Sequence, residues 1–228
     1  MPIRGPLHWI DGHGWLILLG GGDWQHGETD QVDAEALALA NLDRPMLVIL
    51  DSGPRDEAEA LLEHFTALGG PGGEVLVLSE MRPEHYHSPR LLEFLDEIGL
   101  LYLGGTDPAC IARNLQNTPL IERILKGFVT LQGLIIIGAG AGAAALGAWV
   151  ADTNQTPVPG LGFLRSAIVM PHFTRTEEAA ALRALLRARP DFLGLGIPDS
   201  TALTLGPAGE VSPLGTGEVT AVVHAEEP

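Results

Sequence analysis

A single cysteine, Cys110, stands in 228 residues, which excludes an intrachain disulfide framework. A reducing, cytoplasmic setting is the expectation. Positive charge is scarce too. Thirteen Lys and Arg face 29 Asp and Glu, a formal net charge of −16. Nucleic-acid binding needs a basic face, so no nucleic-acid partner is expected, and anionic substrates are weakly disfavoured. No apolar run reaches the roughly 20 residues that span a bilayer. "LIIIGAGAGAAALGAWV" comes nearest, but its glycines suit a turn. The chain does not open with a basic segment followed by an apolar one, so neither a signal peptide nor a membrane partner is expected.

Apolar residues make up 46% of the chain, enough for one sizeable core. Its 29 Gly and 17 Pro are dispersed at turn-like positions. That pattern predicts short connections inside a single domain, residues 1–228, rather than a linker between two.

Strand and helix signals alternate. Buried strands are predicted at 14–20, 45–51, 74–79 and 100–105, and in the β-branched run before Gly138. Helices are predicted at 30–42, 54–70, 88–99 and 176–190, with 107–128 read as two helical pieces split near Pro119. Residues 152–162 read as a loop, 166–173 as a further strand, and the tail as short strands with "PAGE" as a hairpin turn. This order predicts an α/β fold: a doubly wound, mostly parallel sheet with helices on both faces. Ligands on such sheets bind at the carboxyl ends of the strands, which singles out the loops after Leu19, Leu103 and Ile137.

The last of these loops is "GAGAGAAALG". As a dinucleotide loop it has the wrong spacing for G-x-G-x-x-G, it follows the fifth strand, and no acidic residue closes the next βα unit. As a nucleophile elbow, G-x-S-x-G, it has the small neighbours a sharp strand-to-helix turn needs, with Gly140 at the central position. A non-Gly residue in such strained geometry costs about 1–3 kcal/mol; glycine relieves the strain and removes the attacking atom together. A glycine turn used only for close packing is the third reading.

Five segments settle the resemblance by their order: "WLILLGGGDW", "LLYLGGTDPACIARNLQNTPLIERI", "GAGAGAAALG", "GLGFLRSAIVMPHFTR" and "LGLGIPDSTAL". Together they resemble peptidase family S51, the aspartyl dipeptidases (dipeptidase E) and cyanophycinases. The resemblance implies a flavodoxin-like, class I glutamine amidotransferase-like fold and no cofactor or metal. It places the nucleophile slot at Gly140, where the family has Ser, the histidine at His172 and the acid at Asp199, where the longer Glu is usual. It places oxyanion donors at the backbone N–H groups of Gly105 and Ala141. Asp107 falls where the family has Gln, so substrate binding there is altered, and Arg175 is a candidate for a substrate carboxylate. The expectation is a catalytically impaired peptidase-like protein that keeps a cleft for a small peptide or amino-acid ligand. Two alternatives stay open: an active hydrolase of aspartyl peptides, through activated water or because Gly140 is an engineered change, and a non-catalytic scaffold that forms a homodimer.

Other candidates are weaker. Cys110 begins a helix, where a thiolate is stabilised, but no His is placed beside it. His85 and His87 have H-x-H spacing in a Pro-flanked loop that reads as solvated. Ser166 and Ser200 lie near the motifs but outside elbow geometry.

Overall fold

The computed structural model describes residues 7–130, 133–152, 156–174 and 176–223. Its centre is a seven-stranded sheet. β1 (Trp15–Leu19), β2 (Met46–Leu50), β3 (Gly73–Val77), β4 (Leu100–Gly104) and β5 (Ile135–Ala139) are parallel, and β10 (Thr201–Leu205) and β11 (Val211–Gly215) extend the sheet antiparallel beside β1. The spatial order is β11-β10-β1-β5-β4-β2-β3.

The parallel strands read as continuous apolar runs because both faces are covered. Side chains alternate between two cores. Leu16, Leu18, Leu47, Ile49, Leu101, Leu103 and Ile136 point to one face, under α3 (Pro89–Glu97), α4 (Pro108–Leu115), α5 (Pro119–Thr130) and the short α6 (Ala141–Ala145). Ile17, Leu19, Met46, Val48, Leu50, Ile135 and Ile137 point to the other, under α1 (Asp30–Leu39) and α2 (Arg55–Ala67). The connections therefore diverge at the parallel neighbours β1 and β5: β1 leads to a helix on one face, β5 to a helix on the other. That is the switch point where an open α/β sheet leaves a crevice. The predicted break near Pro119 is also present. α4 ends at Leu115, Asn117 turns with a positive φ of 57°, and Pro119 begins α5.

Two parts of the fold differ from the sequence reading. The strand predicted at 166–173 does not join the main sheet. β8 (Ala167–Met170) pairs in parallel with β9 (Leu193–Gly196), and β12 (Thr220–Val222) adds antiparallel to β9. α7 (Glu177–Ala188) covers this small sheet through Leu182, Leu185 and Leu186. The stretch predicted as a loop at 152–162 contributes β7 (Pro157–Pro159), paired with β6 (Trp149–Ala151). Prolines are tolerated there because a two-stranded ribbon has only edges. The predicted hairpin is present: β10 turns into β11 through Gly206–Glu210, closed by the Gly206 N–H to the Glu210 carbonyl at 2.9 Å. No helix among the described residues is long and apolar enough to cross a membrane.

Candidate functional site

Three loops meet at the switch point. They are the ones the sequence singles out, after β1, β4 and β5. Gly140 forms the third. Its backbone sits at φ 52° and ψ −117°, between the last residue of β5 and the first of α6. L-residues rarely adopt this combination, because Cβ crowds the following peptide. The Gly140 N–H donates to the Leu19 carbonyl at 3.0 Å, and its own carbonyl accepts from Ala144 at 3.2 Å, so the turn is fixed to β1 and to α6. This is a strand–elbow–helix with no side chain at its apex.

His172 faces that apex. An ideal Cβ built on Gly140 stands 3.3 Å from His172 Nε2. On the other edge of the ring, Nδ1 lies 2.6 Å from Asp199 Oδ1. A carboxylate oxygen can only accept, so Nδ1 carries the proton; in the neutral ring Nε2 is then the acceptor, and it is this edge that faces Gly140. Asp199 thus spans to the histidine although Asp is shorter than the usual Glu. Both side chains are more than half exposed, at 59% and 55%. The pair's worth is therefore orientation of the ring rather than stability, since exposed ion pairs contribute ~0–1 kcal/mol.

The histidine's placement follows from its neighbours. Phe173 is buried in the small core above β9, and its N–H donates to Ile197 at 3.1 Å. The His172 N–H donates to Gly20 at 2.9 Å. Anchored on both sides, His172 is held at φ 52° with its ring pushed out into the cleft. Such a conformation costs about 1–3 kcal/mol and persists only when its surroundings fix it. Gly21 completes the arrangement. The imidazole and the carboxylate both lie across its Cα, and a Cβ there would stand 2.3 Å from His172 Cε1 and 2.5 Å from Asp199 Oδ1.

The cleft has two arms that share Gly105, Thr106 and His172. The larger encloses about 750 Å³ beside Ala141 and runs under α7. Its wall carries Asp107, Asp152, Glu177 and Glu178. A hydrogen bond from Thr174 holds the Glu178 carboxyl below its ordinary range, so this wall stays negative. The smaller arm encloses about 260 Å³ and is lined by Gly140, Trp24, Leu61 and Tyr102, together with Glu57 and Ser52. Burial pushes the Tyr102 hydroxyl far up, so it remains protonated.

Of the residues expected from sequence, Gly140, His172, Asp199, Gly105 and Ala141 are brought together around one point. Ala141 is the first residue of α6, where a helix N–H has no partner within the helix. Asp107 also reaches the cleft, but one carboxylate oxygen caps α4 by accepting from Ala109 at 2.9 Å and Cys110 at 3.1 Å. The other lies 3.7 Å from Arg113. Arg175 lies outside the described residues. Cys110 is half-buried, 3.3 Å from the Asn114 amide. His85 and His87 occupy a short exposed turn, and among the described residues no three His, Cys, Asp or Glu side chains cluster as metal ligands do. Ser166 Oγ accepts from the His8 N–H at 2.8 Å, away from the elbow.

Several residues of the site carry no readable signal in the sequence. Gly21 is one of three consecutive glycines, and only the crossing of two distant loops shows why it has no side chain. Glu178 sits on a helix whose acidic first turn reads as ordinary dipole compensation. Asp51 reads as the polar end of a strand.

A mostly parallel open sheet with a glycine elbow at its switch point and a His–acid pair beside it has the layout of a serine-hydrolase scaffold. A family model for peptidase family S51 matches residues 16–208, and the chain belongs to that family. It is 27% identical to the cyanophycinase of Trichormus variabilis over 231 residues, covering 93% of this chain and 76% of that one. It is likewise 27% identical to the cyanophycinase of Synechococcus elongatus over 234 residues, covering 97% and 72%. Among solved structures, a peptidase from an acI-B1 Actinobacterium superposes with a TM-score of 0.69 at 21% identity, covering 95% of this chain and 97% of that one.

Proposed function

We propose that this chain is a peptidase-like protein of family S51 that binds a small peptide-like ligand across the elbow but has lost efficient hydrolysis. The observation that carries the reading is the juxtaposition of Gly140 and His172. The imidazole is oriented by Asp199 and turned to the elbow apex, and the apex has no oxygen to be deprotonated. A Ser–His–acid system needs the hydroxyl to attack, the imidazole to take its proton and the acid to hold the tautomer. In this reading His172 and Asp199 serve as two of the three parts. In a serine protease, loss of the nucleophile alone costs about a million-fold in kcat.

Two features support retention of a ligand. The two arms meet at Gly105, Thr106 and His172, with Gly140 lining the smaller and Ala141 the larger, so a ligand with one residue in each arm would pass its central amide beside the elbow. The Gly105 and Ala141 amides are the proposed donors to that carbonyl. The acidic wall of the larger arm, within a chain of net charge −16, favours a ligand that carries positive charge. The curated relatives are named cyanophycinases, which supports a peptide as the ligand class.

β-Aspartyl-arginine and Asp-X dipeptides are the probes. The reading expects binding by calorimetry without measurable turnover. Turnover by the native chain that disappears in His172→Ala would instead support a second reading, a water activated at Nε2 in the space beside Gly140.

A further inference from the structure

We propose that Asp51 is the positioning residue for the donor side of the cleft, a role that rests on the ligand reading above. Asp51 follows β2 and is 2% exposed. Its two carboxylate oxygens accept four hydrogen bonds. Oδ1 accepts from the Thr106 N–H at 3.1 Å and the Ser52 hydroxyl at 3.1 Å. Oδ2 accepts from the Asp107 N–H at 2.9 Å and the Thr106 hydroxyl at 3.3 Å. Its backbone is fixed as well, since the Asp51 carbonyl accepts from Ser79 at 3.0 Å.

Three of those donors belong to the loop after β4, and two of them are consecutive backbone N–H groups. The loop is the wall common to both arms of the cleft. The carboxylate also packs against Gly105 itself, where an ideal Cβ would stand 2.2 Å from Asp51 Oδ1. Gly105 therefore rests on a rigid anion at the end of β2, at φ 140°. The chain of support continues outward, because Asp107, held by Asp51, caps α4. Charge-assisted bonds to backbone N–H groups are about twice as strong as neutral ones. A buried carboxylate left with unmatched partners is costly, so the loop has one strongly favoured position. Preorganised donors act only when they are held within a fraction of an ångström of the place where charge appears. Asp51 touches neither arm's interior in this account; it acts through Gly105, Thr106 and Asp107.

Asp51→Asn keeps the volume and replaces one acceptor by an NH₂ donor that faces a backbone N–H. The native chain and the variant are compared by amide proton shifts and amide exchange, and by calorimetric titration with β-aspartyl-arginine. Expected in the variant are upfield shifts and faster exchange at Thr106 and Asp107, unchanged amides in β9, and affinity weaker by roughly tenfold or more. Unmoved Thr106 and Asp107 amides overturn the assignment, and so does a variant that binds the dipeptide as tightly as the native chain. If the native chain binds no dipeptide, the ligand reading fails, and the amide response still decides whether Asp51 holds the loop. Should Asp51→Asn not fold, Gly105→Ala drives a Cβ against Oδ1 from the other side. It is expected to disturb the same two amides and weaken the dipeptide, and undisturbed amides there overturn the clamp.

Discussion

His172 Nε2 lies 3.3 Å from the point where a Cβ on Gly140 would stand. That distance is tight for a carbon contact, so a side chain there requires the ring to give by a few tenths of an ångström.

The first prediction concerns stability. Gly140 takes φ 52° and ψ −117° at no cost, whereas an L-residue there is strained. Gly140→Ala and Gly140→Ser should each lower unfolding free energy by about 1–3 kcal/mol, read from urea denaturation midpoints. Variants as stable as the native chain would show that the turn relaxes when a side chain is added.

Gly21 is the platform for the His172–Asp199 pair. Gly21→Ala should separate that pair, because its Cβ would overlap both side chains within 2.5 Å. The expected outcome is loss of the Nδ1 proton signal from a proton spectrum, together with weaker dipeptide binding. An intact signal would contradict the packing described here.

Phe173 fixes the histidine from behind, 5% exposed and packed in the core under α7. Phe173→Ala should cost about 3–5 kcal/mol, as large-to-small aromatic changes in cores do. It should also release His172 from its positive φ. A denaturation midpoint close to that of the native chain would show the anchor to be dispensable.

Asp33 supplies a pH dependence. It is 1% exposed, bonded to Thr29 at 2.7 Å and to His64 at 3.0 Å, with its second oxygen unpartnered. Burial lifts its carboxyl above the ordinary 3.8, with a smaller push from Asp30; the Thr29 and His64 bonds oppose this. An acid with a raised native value binds more protons folded than unfolded, so the native state loses stability as pH rises from 3.8 through the raised value. Asp33→Asn lacks that loss. Its stability relative to the native chain should therefore improve as pH rises above 3.8 and level off once Asp33 has ionised in the folded state, measured by urea denaturation across a pH series. A difference that does not change with pH would contradict the shift.

Much of this was legible in the sequence. The parallel strands announce themselves as unbroken apolar runs, and the glycine elbow and its two neighbouring loops follow from their positions at strand ends. Pairing partners were not legible. "AIVM" and "LGLG" are buried strands by any periodicity, and nothing local says that they form a second sheet with each other. The reach of Asp199 was hidden for the same reason. Its short side chain suffices because the loop after β9 crosses directly over Gly20 and Gly21, a contact between residues nearly 180 positions apart. Asp51 needed the fold too, since its loop partners lie 55 and 56 residues onward.

The most direct test of the central claim is hydrolysis of β-aspartyl-arginine by the native chain, Gly140→Ser and Gly140→Ser with His172→Ala, followed by release of free arginine. Expected are no turnover by the native chain, turnover by Gly140→Ser, and its loss in the double variant. Turnover by the native chain at the rate of Gly140→Ser would contradict it.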